Sequence, residues 1–60
     1  MVTIEVENLI AHMTRDFKVG RVPCIGEHMI VGNDVFEVVQ VFHYTDVAPD
    51  DRPVALVRVR

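Results

Sequence analysis

The chain has 60 residues, half of them apolar, and a formal net charge of −3. This length allows one domain with a small core, and the apolar content excludes an intrinsically disordered chain. The single cysteine, Cys24, excludes an intramolecular disulfide. The negative net charge argues against general binding to nucleic acid, which usually requires a basic domain.

The first residues alternate strictly between apolar and polar side chains. This pattern over Val2 to Glu7 predicts a half-buried strand with Val2, Ile4 and Val6 facing the core. No apolar run has the length of a secretory signal or of a membrane span. Together with an unpaired cysteine, this predicts a cytoplasmic protein.

Residues 9–19 allow two interpretations. In the first, Asn8 caps a helix with an apolar stripe at Leu9, Met13 and Phe17. In the second, a strand follows a turn near residues 12–14, with Arg15, Phe17 and Val19 on one face and Asp16 and Lys18 on the other. We favour the strand, because Thr14, Phe17 and Val19 are poor helix formers.

Turn residues punctuate the next segment. Pro23 ends or exposes an extended stretch, and Gly26 supplies a flexible turn position. Residues 28–31 form a short predicted strand. Gly32-Asn33-Asp34 then predicts a hairpin, since Gly and Asn tolerate a positive φ.

The longest predicted strand runs from Val35 to Tyr44, and both of its faces are mostly apolar. Glu37 and Gln40 are three residues apart, so strict alternation cannot expose both. A β-bulge near residues 38–40 would explain this spacing. Alternatively, a partner covers the second face, which predicts a dimer interface that includes Val39, Val41 and His43.

A proline-containing loop over residues 45–53 leads to the last predicted strand, Val54 to Arg60. Ala55, Val57 and Val59 face the core there, while Arg58 and Arg60 face solvent. The strand is expected to pair antiparallel with Val35–Tyr44, because the loop joins them directly. The prediction is one all-β domain over residues 1–60, with about five antiparallel strands in a small curved sheet or SH3-like barrel. We expect it to be a homo-oligomer, most simply a dimer.

The segment from Val22 to His43 shows a recognisable pattern: V-P-x-x-G-E, a short strand, a G-N hairpin and F-x-V-x-x-V-x-H. It resembles small, mostly uncharacterised all-β proteins of bacteria and their phages. The resemblance covers the C-terminal two-thirds of the chain and implies a small barrel-like sheet. It contains no catalytic signature, so it assigns no functional residue. Members often have a basic or small residue where Cys24 stands.

The cysteine and histidines do not form a recognisable site. Zinc sites usually combine paired ligands at short spacing, whereas Cys24 and His28 form one such pair with no second. We therefore predict no metal, no cofactor and no enzymatic activity, with Cys24 as a small buried packing group after the Pro turn. His12 and His28 are predicted to be exposed, and His43 to lie in the core or an interface.

The basic residues are the strongest candidates for function. All six fall in two segments, which would form one basic patch if they met in space. Charge combined with an aromatic ring suits an anionic base, whereas a charged edge strand also blocks aggregation. The predicted ligand or partner residues are Arg15, Phe17, Lys18 and Arg21, with Asp50, Asp51 and Arg52 in the stiff loop.

Two functions follow as hypotheses. The first is a small non-enzymatic binding module that occupies a partner protein, in the manner of a phage inhibitor of a host protein. The contact surface is then the loop over residues 45–53 or the segment Arg15–Arg21. The alternative is an oligomeric sponge that captures an anionic, nucleotide-like small molecule with Arg15, Phe17, Lys18 and Arg21.

Overall fold

A computed structural model of the chain describes residues 1–45 and 52–60. These residues form five strands, which are β1 Val2–Asn8, β2 Met13–Val19, β3 His28–Val31, β4 Asp34–His43 and β5 Ala55–Val59. The strands lie in one sheet in the order β2-β1-β5-β4-β3, curled into a half-barrel. The described segments contain no helix that could cross a membrane. The prediction of an all-β curved sheet is confirmed.

One pairing differs from the predicted antiparallel sheet. β4 and β5 are antiparallel as expected, but β5 also pairs with β1, and that pairing is parallel. The link between β4 and β5 determines the direction of β5, whereas the direction of β1 depends on the whole path of the chain through β2, β3 and β4. Residue alternation describes one strand at a time and carries no information on that path.

The region left open between helix and strand is a strand. β2 pairs antiparallel with β1, and residues 9–12 form the turn between them. The Asn8 side chain shapes this turn, because its Oδ1 accepts hydrogen bonds from the backbone N–H of Ile10 at 2.9 Å and of Ala11 at 3.0 Å. His12 completes the turn with a φ of 55°, in the left-handed region where His is among the better-tolerated residues.

The predicted hairpin is also present. β3 and β4 pair antiparallel, with Val31 opposite Asp34 and only Gly32 and Asn33 between them. Gly32 has a φ of 62°, as expected for the first central position of a two-residue hairpin loop of type II′. The hairpin places β3 at one edge of the sheet, and the β1–β2 pair ends at the opposite edge.

A β-bulge explains the apolar residues on both faces of β4. The register with β5 shifts between Val38 and Gln40, so that Val38 lies opposite Val59 and Val41 lies opposite Val57. The face of β4 that points into the core therefore changes at the bulge, and Glu37 and Gln40 both point outward. Of the two explanations for this spacing, the bulge is the one observed, and the pattern no longer requires a partner on β4.

The core lies on the concave side of the half-barrel. Its fully or almost fully buried apolar side chains come from β1, β4 and β5, and they are Ile4, Val6, Val38, Ala55, Val57 and Val59. Half-buried residues pack around them, including Val2, Phe17 and Phe36. The inward residues predicted for the first and last strands are confirmed. The core belongs mainly to the three central strands, which leaves the inner faces of β2 and β3 partly uncovered.

Candidate binding site

The two edge strands do not close into a barrel. β2 lies beside β1 and β3 beside β4, but no Cα atom of β2 lies within 8 Å of one in β3. A groove of about 320 Å³ therefore remains open on the concave side. Its walls include Met13, Arg15 and Phe17 on β2, Met29 and Val31 on β3, and Phe36 on β4. This volume is at the lower end of the range for ligand sites, and the mostly apolar lining is typical of them.

Arg15 is the cation of this groove. It lies opposite the buried Val6, so the alternation of β2 directs it to the concave side together with Phe17, which lies opposite Ile4. The Arg15 guanidinium carbon lies 5.3 Å from the centre of the Phe17 ring, within cation–π distance. No acidic group in the described part of the chain forms an ion pair with Arg15. Its donors are therefore available to a ligand.

The remaining polar groups in the groove are few. Asp34, at the start of β4, lines the side across from β2, and Asn8 lines the end next to the turn. The Asn8 carbonyl oxygen already accepts two backbone hydrogen bonds. The groove thus offers a cation beside an aromatic ring on one wall, an acidic group on the other, and apolar surface between them.

Lys18 and Arg21 do not join Arg15 in this groove. Lys18 lies opposite Thr3 in the β1–β2 register, so it points to the convex side together with Asp16. Arg21 follows β2 and forms a bidentate hydrogen-bonded ion pair with Glu27. Among the predicted ligand residues that the structure describes, it therefore brings only Arg15 and Phe17 together.

Arg15 does not share a patch with Arg58 and Arg60. Arg58 lies on the convex face, where it donates hydrogen bonds to Glu7 at 2.8 Å and to Gln40 at 3.1 Å. Its guanidinium also lies 5.2 Å from the Phe42 ring. Arg60 pairs with Glu37. Because Arg15 is on the concave side and these two arginines are on the convex side with acidic partners, these three residues do not form a single basic patch.

The structure describes one predicted partner residue of the loop and all three residues of the predicted dimer interface. Arg52 is exposed, whereas Asp50 and Asp51 lie outside the described residues. Val39 and Val41 are half-buried in β4, and His43 is exposed at its end. Their role as a dimer interface stays a prediction.

Cys24 is exposed, which corrects the prediction that its thiol is buried. The segment after Pro23 is held to the sheet by its backbone, since Gly26 N–H donates to the Val38 carbonyl at 2.9 Å. The Cys24 side chain is therefore not needed for packing. His12 and His28 are exposed, as predicted. Within residues 1–45 and 52–60, no three His, Cys, Asp or Glu side chains form a group that would hold a metal ion.

Glu27 organises the loop that joins β2 to β3. Its carboxylate accepts hydrogen bonds from the Arg21 guanidinium and from the Cys24 backbone N–H. Its own backbone N–H donates to the Cys24 carbonyl at 3.0 Å. The hydrogen bond from Arg21, followed by that from Cys24, lowers the pKa of Glu27 to about 2. The same ion pair raises the pKa of Arg21.

This pKa shift predicts a pH dependence of stability. A carboxyl whose pKa is lower in the folded protein stabilises it above the unfolded pKa of 4.5, and this contribution is lost as the pH falls from 4.5 toward 2. We expect Glu27→Gln to flatten this part of the profile of unfolding free energy against pH. The check is urea denaturation at a series of pH values, with Glu37→Gln as a control on the convex face. Equal acid sensitivity in Glu27→Gln and the wild type would contradict this role.

No protein-family model, curated protein or solved structure matches the chain.

Proposed function

We propose that the protein is a non-enzymatic binding module that holds a segment of a partner protein in its concave groove. The observation that carries this proposal is the position of Arg15 on the wall of an open apolar groove, next to Phe17 and without an acidic partner among the described residues. The segment that fits has apolar side chains and one carboxylate. The carboxylate pairs with Arg15, and the apolar side chains cover Met29 and Phe36.

The energetics favour this kind of ligand. Arg presents a planar fork of donors that matches the two oxygens of a carboxylate. Arg15 is exposed in the free protein, so it is the apolar side chains of a bound segment that would reduce solvent access to the pair and strengthen it relative to a pair on an open surface. The open side between β2 and β3 admits a chain segment that continues beyond the groove at both ends. The groove lining in the described residues supplies no nucleophile beside a base, which supports a binding role over a catalytic one.

Inhibition of a host protein by a phage protein is one form of this function. That form rests on the expectation drawn from the sequence pattern of Val22–His43, for which no matching family model, curated protein or solved structure was found, and the groove supports the binding role alone.

The second candidate is capture of a small anionic, nucleotide-like molecule. It is favoured by the Arg15–Phe17 pair, because a base can stack on the ring while its phosphate binds the guanidinium. One protomer brings one cation to the groove, since Lys18 points to the opposite face and Arg21 is paired with Glu27. One protomer should therefore bind a ligand with several negative charges less well than a ligand with a single carboxylate. Two protomers would have to combine their groups to bind the former well.

The proposal is tested by selecting random displayed peptides on the immobilised protein. We expect enriched peptides to combine apolar residues with an Asp or Glu. Arg15→Gln should weaken their binding by about tenfold to a hundredfold, the usual loss for a charge-assisted hydrogen bond. Lys18→Gln removes the same charge from the other face of the same strand and should change binding less than about twofold. Fluorescence anisotropy of labelled peptides gives both ratios.

Reversing the charge at position 15 should also reverse the charge preference of the selected peptides. Arg15→Glu should enrich basic peptides in place of acidic ones. Enrichment that is independent of the residue at position 15, or equal losses in Arg15→Gln and Lys18→Gln, would contradict the proposal. Binding of AMP or GMP that depends on Arg15 and weakens with salt, without any peptide enrichment, would support the second candidate in its place.

A further inference from the structure

The outer edge of β2 is available for pairing with another chain. β2 ends the sheet and has seven residues, whereas β3 at the other edge has four. An edge strand presents unpaired backbone N–H and C=O groups, and a long one is a ready site for a further strand. The occupant depends on the side chains that a new strand would meet.

The convex face of β2 carries two charges that have no ion-pair partner among residues 1–45 and 52–60. Asp16 lies opposite Glu5, so two acidic residues face each other across β1 and β2. The Tyr44 hydroxyl donates to Glu5 at 2.7 Å. Lys18 lies opposite Thr3, which carries no charge. Neither Asp16 nor Lys18 forms an ion pair with any residue of the described segments.

These two charges flank Phe17 symmetrically. We propose that two copies of the chain pair antiparallel through β2, with Phe17 on the two-fold axis. In that register Asp16 faces Lys18 of the second copy, and Lys18 faces its Asp16. Each protomer thereby supplies the cation that the other lacks beside Asp16. Opposite charges directly across antiparallel strands are stabilising, and like charges are destabilising.

The concave face is also complementary in this register. Phe17 meets Phe17 of the second copy, and Arg15 meets Val19. An aromatic pair is a favourable cross-strand neighbour, and Val19 brings no charge against Arg15. The grooves of the two copies then lie on the same side of one continuous sheet, and each presents its own Arg15.

Three other two-fold registers place like charges together. When the two-fold axis passes through a charged residue, that residue faces its own copy. The register centred on Asp16 pairs two aspartates, the one centred on Lys18 pairs two lysines, and the one centred on Arg15 pairs two arginines. The register centred on Phe17 avoids all three of these contacts. The isologous pairing of one surface patch is the commonest form of a symmetric dimer. This interface lies on β2, not on the predicted β4 residues Val39, Val41 and His43, and it does not rest on the proposed function.

Charge reversal tests the register directly. Asp16→Lys gives each copy only lysines at positions 16 and 18, and Lys18→Asp gives only aspartates. We expect the wild type to dimerise and each single variant to associate at least tenfold more weakly with itself. An equimolar mixture of the two variants should form a heterodimer, and the double variant Asp16→Lys/Lys18→Asp should recover the homodimer. Analytical ultracentrifugation measures the association in all five samples, and circular dichroism checks that each variant is folded.

Three results would overturn the proposed dimer. A wild type that is monomeric at millimolar concentration excludes the dimer. A dimer that survives both single reversals unchanged lies on another surface. A mixture of the two single variants that fails to associate excludes the pairing of Asp16 with Lys18.

Discussion

Replacing Val57 with Asp is expected to leave the protein unfolded in water. Val57 is fully buried in β5 and lies opposite Val6 of β1 and Val41 of β4. β5 is also the only link between the β1–β2 and β3–β4 pairs within the described sheet. A two-stranded hairpin is at best marginally stable alone, so neither pair is expected to persist without β5.

The magnitudes support complete unfolding. A domain of this length has a free energy of unfolding of roughly 3 to 9 kcal/mol. An unpaired buried carboxylate costs several kcal/mol even after the surroundings relax. Val35→Asp is the matched control, because Val35 is 61% exposed on β4. We expect a change of about 0.5 kcal/mol there. Far-UV circular dichroism and urea denaturation separate the two, and a folded Val57→Asp variant would contradict the position of β5.

Replacing Ile4 with Ala is expected to lower the free energy of unfolding by about 2 to 5 kcal/mol. Ile4 is fully buried in β1, opposite Phe17 of β2. Truncation removes buried methyl groups and leaves a cavity that neighbouring strands fill only partly. In a domain this small, such a loss is a large fraction of the total stability.

Ile30→Ala makes the same chemical change on β3, where Ile30 is 76% exposed. We expect it to cost less than about 1 kcal/mol, because little apolar surface is lost from the interior. Urea denaturation monitored by tyrosine fluorescence gives both values. The slope of the unfolding free energy against urea concentration should be the same for the wild type and both variants. Similar losses for the two isoleucines would contradict the assignment of the concave face as the core.

Much of the strand structure could be predicted from the sequence because β1 and β5 each have one buried face. The alternation in β1 and β5 identified their inward residues, and the spacing of Glu37 and Gln40 pointed to the bulge in β4. The alternation in β2 placed Arg15 and Phe17 on one face and Lys18 on the other. That same alternation separates Lys18 from Arg15, so it argued against grouping them in one ligand site.

The remaining features depend on relations between distant strands or on side-chain hydrogen bonds. The parallel pairing of β1 with β5 and the groove wall formed by Met29 and Phe36 follow from the path of the chain, which residue periodicity does not encode. The turn before β2 had a signal in Asn8, which we considered only as the cap of the helix that we did not favour. Asn8 does accept hydrogen bonds from the following backbone N–H groups, but in a turn instead of a helix N-terminus. The exposure of Cys24 follows from backbone contacts that hold its segment in place.

NMR decides whether the concave groove with Arg15 is the binding surface that we propose. The measurement is the change in amide and methyl chemical shifts when an enriched acidic peptide is titrated into the isotope-labelled protein. We expect the largest changes at Arg15, Phe17, Met29 and Phe36, with intermolecular contacts to the Met29 methyl group. Changes confined to the convex face, around Ile30 and Gln40, would contradict it.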